Sequence, residues 1–371
     1  MLSKKIIQSH CILFLGAGAS APLGLKTTIP FLQLIPQEYY EFLKNKGSDY
    51  GNKEKVAEIL TPFFQTAAER FGTEYPDAEV VLDYIDFLLK IGHEIKGFHS
   101  GLHKLTGVDN FQKWINYFTE LRNFLQQHVV EHYSNVNGEQ AYKLYHPLIS
   151  IACPDENILP VFTTNYDWVF EHLVEFRQND FKLLDGFKSV GGLGERWARD
   201  VFDHFRSSPR KINIILLKLH GSTSWYKDER DDIKKISEAA PQIGRARAVL
   251  IYPTQVKADA IQEDPFKTVY EYFKVSLEHT KFCVVIGSSF RDPAINNVFS
   301  VALAKNKELK LIIIDQAINQ CYLDGLREKF SLDMNAFQSK VHCFNASFGS
   351  PEAINFIAEK IKKVGAGNLD N

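Results

Sequence analysis

The sequence lacks any long apolar stretch. No run approaches the ~18 residues of a membrane span, and Met1-Leu-Ser-Lys-Lys5 leads only into a short apolar segment, without the apolar core and small-residue cleavage site of a secretory leader. Both absences predict a cytoplasmic protein with no membrane contact. Paired cysteines are also missing. The five cysteines, Cys11, Cys153, Cys283, Cys321 and Cys343, are odd in number and none stands at CxxC spacing. A thiolate zinc site built on such pairs is excluded, and free, mostly buried thiols in a reducing compartment are expected. A preponderance of one charge is lacking too: the formal net charge is −2, so a nucleic-acid partner is not indicated. No internal repeat is visible, and no compact acidic cluster supports a metal-dependent nuclease.

What is present is the material of a globular protein: 371 residues, 45% hydrophobic and 24% charged, enough for a large buried core. Short β-branched apolar runs at Cys11–Leu15, Leu159–Phe162, Ile212–Leu217, Ala248–Ile251, Phe282–Ile286 and Leu309–Ile314 end in small or polar residues. Continuous apolar runs of this length fit strands buried on both faces of a parallel sheet. Helical patterns lie between most of them. The expected fold is therefore α/β: a Rossmann-like, mostly parallel sheet with helices on both faces. From about Phe31 to His146 no strand is evident. Helical periods run through Glu38–Lys46, Val80–Ile91 and Phe111–His132, where Trp114, Phe118, Leu121 and Leu125 recur at spacings of three and four. This predicts an all-helical insertion at 31–146 within a sheet domain formed by 1–30 and 147–371. Lys227–Lys235, of mixed charge, reads as an exposed loop, and Lys363–Asn371 as a fraying tail.

Polar and glycine-rich motifs follow the runs. Phe14-Leu-Gly-Ala-Gly-Ala-Ser20 follows a strand. Gly16 permits a tight turn, Gly18 close approach of a phosphate, and Ala21 the third small position of a GxGxxG/A pattern. Exposed amides at a following helix start would bind a pyrophosphate, with the Ser20 hydroxyl adding to them. A dehydrogenase would next place a strand ending in an acid, but Phe31–Glu41 reads as helix and Glu38 and Glu41 sit on no strand end. In Val161-Phe-Thr-Thr-Asn-Tyr-Asp167, Asn165 offers an amide able to orient a water or a ribose hydroxyl. Asp167 either lines the ligand or caps the helix beginning at Trp168. Leu216-Leu-Lys-Leu-His-Gly-Ser222 ends a strand on His220, whose ordinary pKa of about 6.5 suits proton transfer. Val284-Val-Ile-Gly-Ser-Ser-Phe-Arg-Asp-Pro293 supplies a small-residue turn, Gly287-Ser288-Ser289, with Arg291 and Asp292 as a local ion pair the plainest account of that charge. The strand at Leu309–Ile314 ends in Asp315, an acid placed to accept from ribose hydroxyls and to disfavour a 2′-phosphate.

In this order the motifs resemble the sirtuin-like family. Phe14–Ser20 is similar to its GAGxS loop, Thr164-Asn-Tyr-Asp167 to its T-x-N-x-D segment, His220-Gly221 to its catalytic His-Gly and Gly287–Ser289 to its ribose turn. The KLHGS and GSSFRDP variants, with a helical insertion, resemble the bacterial antiphage-defence branch more than the protein deacylases. Deacylases carry a zinc module with two cysteine pairs after the catalytic histidine and an Asp-Phe-Arg run after the first loop. This chain has no cysteine between Cys153 and Cys283, and Leu25–Pro30 holds no such triplet. The resemblance thus implies NAD⁺ as substrate, water as acceptor and an NAD⁺ glycohydrolase with no metal. Asn165 and His220 are the expected catalytic pair. Gly16, Ala17, Gly18, Ser20, Thr164, Asp167, Gly287, Ser288, Ser289 and Asp315 are expected to bind NAD⁺. It also implies a homo-oligomer, or a separate partner such as a HerA-like ATPase. Four other functions compete: an NAD⁺- or ADP-ribose-binding regulatory module without catalysis, a deacylase, a nuclease, and a zinc peptidase built on His128-Val-Val-Glu-His132, an H-x-x-E-H pattern on a helix.

Overall fold

The computed structural model describes residues 6, 8–46, 53–73, 76–96, 111–154, 157–189, 194–228, 230, 232–236, 248–250 and 262–366. The chain forms two units. One comprises Met1–Leu25, Tyr133–Ile251 and Ala258–Asn371, the other Lys26–His132 and Tyr252–Lys257. These bounds differ from the 30/31 and 146/147 read in the sequence. The helix Gly138–Ala152 runs unbroken through Pro147 and packs with the sheet unit, so a division at 146/147 would cut it.

The sheet unit is built on β1 (Cys11–Leu15), β2 (Ile158–Thr163), β3 (Phe181–Leu184), β6 (Ile212–Lys218), β10 (Phe282–Ile286), β11 (Lys310–Asp315) and β12 (Val341–Asn345). They form one seven-stranded sheet in the order β12-β11-β10-β1-β2-β6-β3. Every pairing is parallel. The apolar runs form strands because both faces are covered. Ile12, Phe14, Phe162, Ile215, Leu217, Cys283, Val285, Leu311 and Ile313 enter one core with Phe273, Phe299 and Phe330 from helices on that side. The helices Gly138–Ala152, Val169–Phe176 and Pro351–Ala366 contact the sheet or one another on the remaining side. Full burial of each large apolar side chain contributes about 1.5–3 kcal/mol, which overrides the modest propensity of a five-residue strand. Chain order reverses at β1. From there the chain passes to β2 on one side and returns to β10 on the other, which makes the β1/β10 junction the switch point where α/β sheets bind ligands.

A second, five-stranded antiparallel sheet was not foreseen. It orders β4 (Phe187–Ser189), β5 (Glu195–Trp197), β8 (Ile233–Lys235), β7 (Gly221–Lys227) and β9 (Ala248–Leu250) as β4-β5-β8-β7-β9. Its small core is aromatic: Phe187, Trp225 and Phe266 with Trp197 beside them. Two expectations are corrected. Ala248–Leu250 is a strand of this sheet rather than of the parallel one. Within Lys227–Lys235, read as a loop, Ile233–Lys235 pairs with Trp225–Lys227. The tail is helical to Ala366, and residues beyond it lie outside the described ones.

The other unit is helical over its described residues: Thr28–Leu32, Ile35–Asn45, Lys53–Phe71, Ala78–Lys96 and the helix from Phe111. The period read in the last of these is borne by Phe118, Leu121 and Leu125, all buried; the Trp114 side chain lies outside the described residues. Arg122 pairs with Asp86 across two helices, and Tyr39 meets Phe124 at 4.9 Å. Among the described residues no helix is long and apolar enough to cross a membrane.

Candidate functional site

The parallel registers bring Leu15, Thr163, Lys218, Ile286 and Ile314 level with one another, so the residues after each strand share one edge of the sheet. The four motifs that follow strands β1, β2, β6 and β10 lie on that edge.

At the switch point the loops after β1 and β10 interlock. Gly16 N–H donates to the Ile286 carbonyl at 2.9 Å, and Gly18 N–H to the Gly287 carbonyl at 3.0 Å. A Cβ on Gly16 would lie 2.4 Å from the Gly287 oxygen, and one on Gly287, at φ +61°, 2.4 Å from the Ala19 nitrogen. The glycines thus serve the crossing of two backbones. The Gly18 N–H is used within this crossing. The expected helix start is reduced to two 3₁₀ turns, Ala17–Ala19 and Ala21–Leu23. Ala17 stands exposed at the tip of this crossing, and Ser289 is exposed on the other loop.

Asn165 is held from behind by a directed chain. Its Nδ2 donates to the Gly16 carbonyl at 3.0 Å and to Ser20 Oγ at 3.1 Å; Ser20 Oγ donates to Asp167 Oδ2 at 2.6 Å. The chain has one sense, because an ionised carboxylate only accepts. Both Nδ2 hydrogens are therefore used, and the half-buried Asn165 presents its carbonyl Oδ1 as an acceptor. Ser20 and Asp167 are buried within this network. Of the two roles left open for Asp167, the helix-start contact forms: its Oδ1 accepts from Val169 N–H at 3.2 Å. Burial raises its carboxyl pKa, only partly offset by Lys218 and by the Ser20 bond.

Beneath Asp167 lies a layer the sequence did not reveal. The Lys218 ammonium, with only 3% of its side chain exposed, pairs with Glu171 Oε1 at 2.8 Å, donates to Ser222 Oγ at 3.1 Å and bonds the Asp167 carbonyl. Glu171 Oε2 is buried and makes no hydrogen bond among the described residues. Ser20, Asn165, Asp167, Glu171 and Lys218 border a cavity of about 10 Å³, the size of a single water. The signal for this layer was the Lys two residues before His220, at the last position of a buried strand.

His220 stands where the chain leaves the parallel sheet. Leu219 N–H still bonds the Thr163 carbonyl at 2.8 Å, and Gly221, at φ +88°, turns the chain into β7. A positive φ of this size favours glycine, which accounts for the His-Gly pair. His220 Nε2 lies 2.9 Å from Asp292 Oδ2, both side chains being buried. Arg291, read in the sequence as the local partner of Asp292, donates from Nε to Ser289 Oγ at 3.1 Å. Phe290, between them, holds a left-handed φ of 49°, a costly conformation for a non-glycine. Its buried ring meets Phe299 and Phe330, and its carbonyl accepts from Asn296 Nδ2 at 2.9 Å.

At the last strand end, Asp315 is half-buried, and burial raises its pKa. Its Oδ1 accepts from Ala317 N–H at 2.8 Å, and Tyr322 from the next helix donates to the Ser288 carbonyl at 2.9 Å. Thr164 N–H is tied to the Leu15 carbonyl at 3.0 Å. The structure thus gathers the predicted residues along one edge while dividing them. Ser20, Asp167 and the glycines build the edge from within; Ala17, Thr164, Asn165, Ser289 and Asp315 keep exposed or half-exposed surface. The H-x-x-E-H pattern belongs to the helical unit, where His128 Nδ1 engages the Phe124 carbonyl and His132 Nε2 accepts from Lys26 N–H. Among the described residues no three His, Cys, Asp or Glu side chains are grouped to hold a metal.

A doubly wound parallel sheet with its polar loops gathered at the switch-point edge defines an α/β ligand-binding domain. Residues 160–333 match the family model described as a SIR2-like domain. The match takes in Asn165, Asp167, His220, Gly287, Asp292 and Asp315; the loop after β1 precedes it. No curated protein matches. Among solved structures, a Sir2 homologue mutant in complex with ADP-ribose is similar at 12% identity over 100% of both chains, TM-score 0.41. A Sir2 homologue–NAD complex is similar at 11% identity over 98% of this chain and 95% of that one, TM-score 0.40. Sir2Tm bound to a propionylated peptide is similar at 12% identity over 96% and 93%, TM-score 0.37.

Proposed function

We propose that the protein is an NAD⁺ glycohydrolase that cleaves the nicotinamide–ribose bond to give nicotinamide and ADP-ribose. The observation that carries this reading is the preparation of Asn165. Its two amide hydrogens are consumed by Gly16 and Ser20, so Oδ1 is an oriented acceptor at the end of β2. Such a group positions a water by accepting one of its hydrogens. His220 stands at the end of the adjacent strand, the right residue type for taking a proton near neutral pH.

In the reaction, water adds to the ribose carbon as the carbon–nitrogen bond breaks. Nicotinamide leaves with that electron pair, and the proton lost by water passes to His220 and then to solvent. The departing group is cationic before cleavage, so no general acid is needed. The transition state resembles an oxocarbenium ion, and the protein's task is to bind both ends of the dinucleotide and place the water. Ala17 and the glycine crossing would face the pyrophosphate, and Ser289 and Asp315 the adenosine ribose.

Two features favour water over acyl-lysine as acceptor. The segment after His220 is held by Phe187, Trp197, Trp225 and Phe266 rather than by zinc thiolates, and Leu25–Pro30 lacks the Asp-Phe-Arg run of the deacylases. By its resemblance to the antiphage branch, the enzyme would act in the cytoplasm to deplete NAD⁺ on infection. It would be restrained by homo-oligomerisation or by a separate partner such as a HerA-like ATPase. The test is a comparison of binding with turnover. Asn165→Ala should bind NAD⁺ in calorimetry while its release of nicotinamide falls away. Binding by the wild type with no release would instead make the domain a regulatory NAD⁺-binding module.

A further inference from the structure

We propose that Asp292 is the positioning residue of His220 and that it dictates which ring nitrogen carries the proton. This inference rests on the NAD⁺-cleavage reading for its catalytic consequence, and on geometry alone for the tautomer.

Asp292 divides its two oxygens between two tasks. Oδ1 caps the helix Pro293–Lys305, accepting from Ala294 N–H at 2.9 Å and Ile295 N–H at 3.4 Å. Oδ2 faces His220 Nε2 at 2.9 Å. The side chains are 9% and 6% exposed, so solvent cannot take over either contact. The position is fixed from both sides. Pro293 begins the helix, for which its locked φ is preorganised, and the left-handed turn at Phe290 delivers the chain to the cap. A negative charge at the start of this thirteen-residue helix is favoured by the unpaired amides and the helix dipole.

The chemistry follows from the inventory of donors. An ionised carboxylate accepts only, so Nε2 must bear the hydrogen it shares with Oδ2. The neutral ring then carries its lone pair on Nδ1, and Nδ1 is the atom that takes a proton from the reacting water or a ribose hydroxyl. As the ring becomes cationic, the adjacent carboxylate stabilises it without itself being protonated, a division of labour that recurs wherever an acid orients a catalytic histidine. Tyr270, on the helix Phe266–His279, also senses the Asp292 charge. Burial and that charge both push its phenol well above the ordinary range, so it stays neutral. The Tyr166 ring lies 6.4 Å from the imidazole.

Asp292→Asn is the discriminating variant. The carboxamide oxygen can still cap the helix, so the thermal midpoint should stay at the wild-type value. The Nδ2 group now donates toward Nε2, which must become the acceptor and move the hydrogen to Nδ1. Nitrogen-15 NMR of histidine-labelled protein, with His220→Ala used to assign the resonance, should show the Nε2–H form in the wild type and the Nδ1–H form in Asp292→Asn. NAD⁺ turnover should fall roughly 10²- to 10⁴-fold with KM changed only a few-fold. An unchanged tautomer in Asp292→Asn, or the variant's retention of wild-type kcat, overturns the proposal. Should the wild type release no nicotinamide, the glycohydrolase reading fails by itself, and the NMR comparison still decides the role of Asp292.

Discussion

Replacing Lys218 by methionine tests the buried layer beneath the site. Methionine keeps the length of the side chain and removes its charge. Lys218 offers three donors, and the structure supplies three acceptors: Glu171 Oε1, Ser222 Oγ and the Asp167 carbonyl. In the variant Glu171 keeps a carboxylate, 13% exposed, whose second oxygen already lacks a partner among the described residues. Removing one partner of a buried ion pair typically costs about 3–5 kcal/mol, because it leaves an uncompensated charge. Against a usual total of about 5–15 kcal/mol, this is a large fraction, equivalent to roughly 6–20 °C in the melting midpoint of a domain this size. Urea unfolding followed by circular dichroism measures it. Most of the loss should lie in the stranded carboxylate, so Lys218→Met/Glu171→Gln should be more stable than the sum of the single variants predicts. The reasoning is refuted if Lys218→Met costs under about 1 kcal/mol, or if the two single costs add within about 0.5 kcal/mol, as they do for independent sites.

Two further perturbations probe the edge. Gly287→Ala places a Cβ 2.4 Å from Ala19 N at a left-handed φ, so the variant should lose at least about 1–2 kcal/mol in urea unfolding and, by parting the two loops, most NAD⁺ affinity in calorimetry; wild-type affinity would contradict the crossing's role. Asp167 holds its proton more tightly folded than unfolded, since burial raises its pKa. Its contribution is therefore fully present below the ordinary carboxylate value of about 3.9 and is lost as pH rises through the raised value. The stability difference between wild type and Asp167→Asn should accordingly shift in favour of the variant as pH rises from about 4 to 7, and a flat difference would refute the assignment.

The central strands were legible because burial on both faces forces apolar runs such as Phe282–Ile286 and Leu309–Ile314, and the site edge followed from the polar residues at their ends. The antiparallel sheet was not. Phe187-Lys-Ser189, Glu195-Arg-Trp197 and Ile233-Lys-Lys235 are too short and too charged to show a period, and backbone bonding holds them in place. Val341-His-Cys-Phe-Asn345, at the sheet margin, reads as neither buried nor alternating. Within the site, residue types pointed to Asn165 and His220, whereas their supports are contacts between distant positions. Ser20 meets Asp167 147 residues away, and His220 meets Asp292 72 residues away. Asp292 was read against its neighbour Arg291 because sequence shows only neighbours; the Asp-Pro pair at a helix start was the available clue to its capping role.

The most direct measurement is incubation of the purified protein with NAD⁺, with nicotinamide and ADP-ribose followed by chromatography beside folded Asn165→Ala and His220→Ala variants. Equimolar release of both products by the wild type, lost in both variants, is the predicted result. Release that persists undiminished in the two variants, or a wild type that binds NAD⁺ and leaves it intact, would contradict the account.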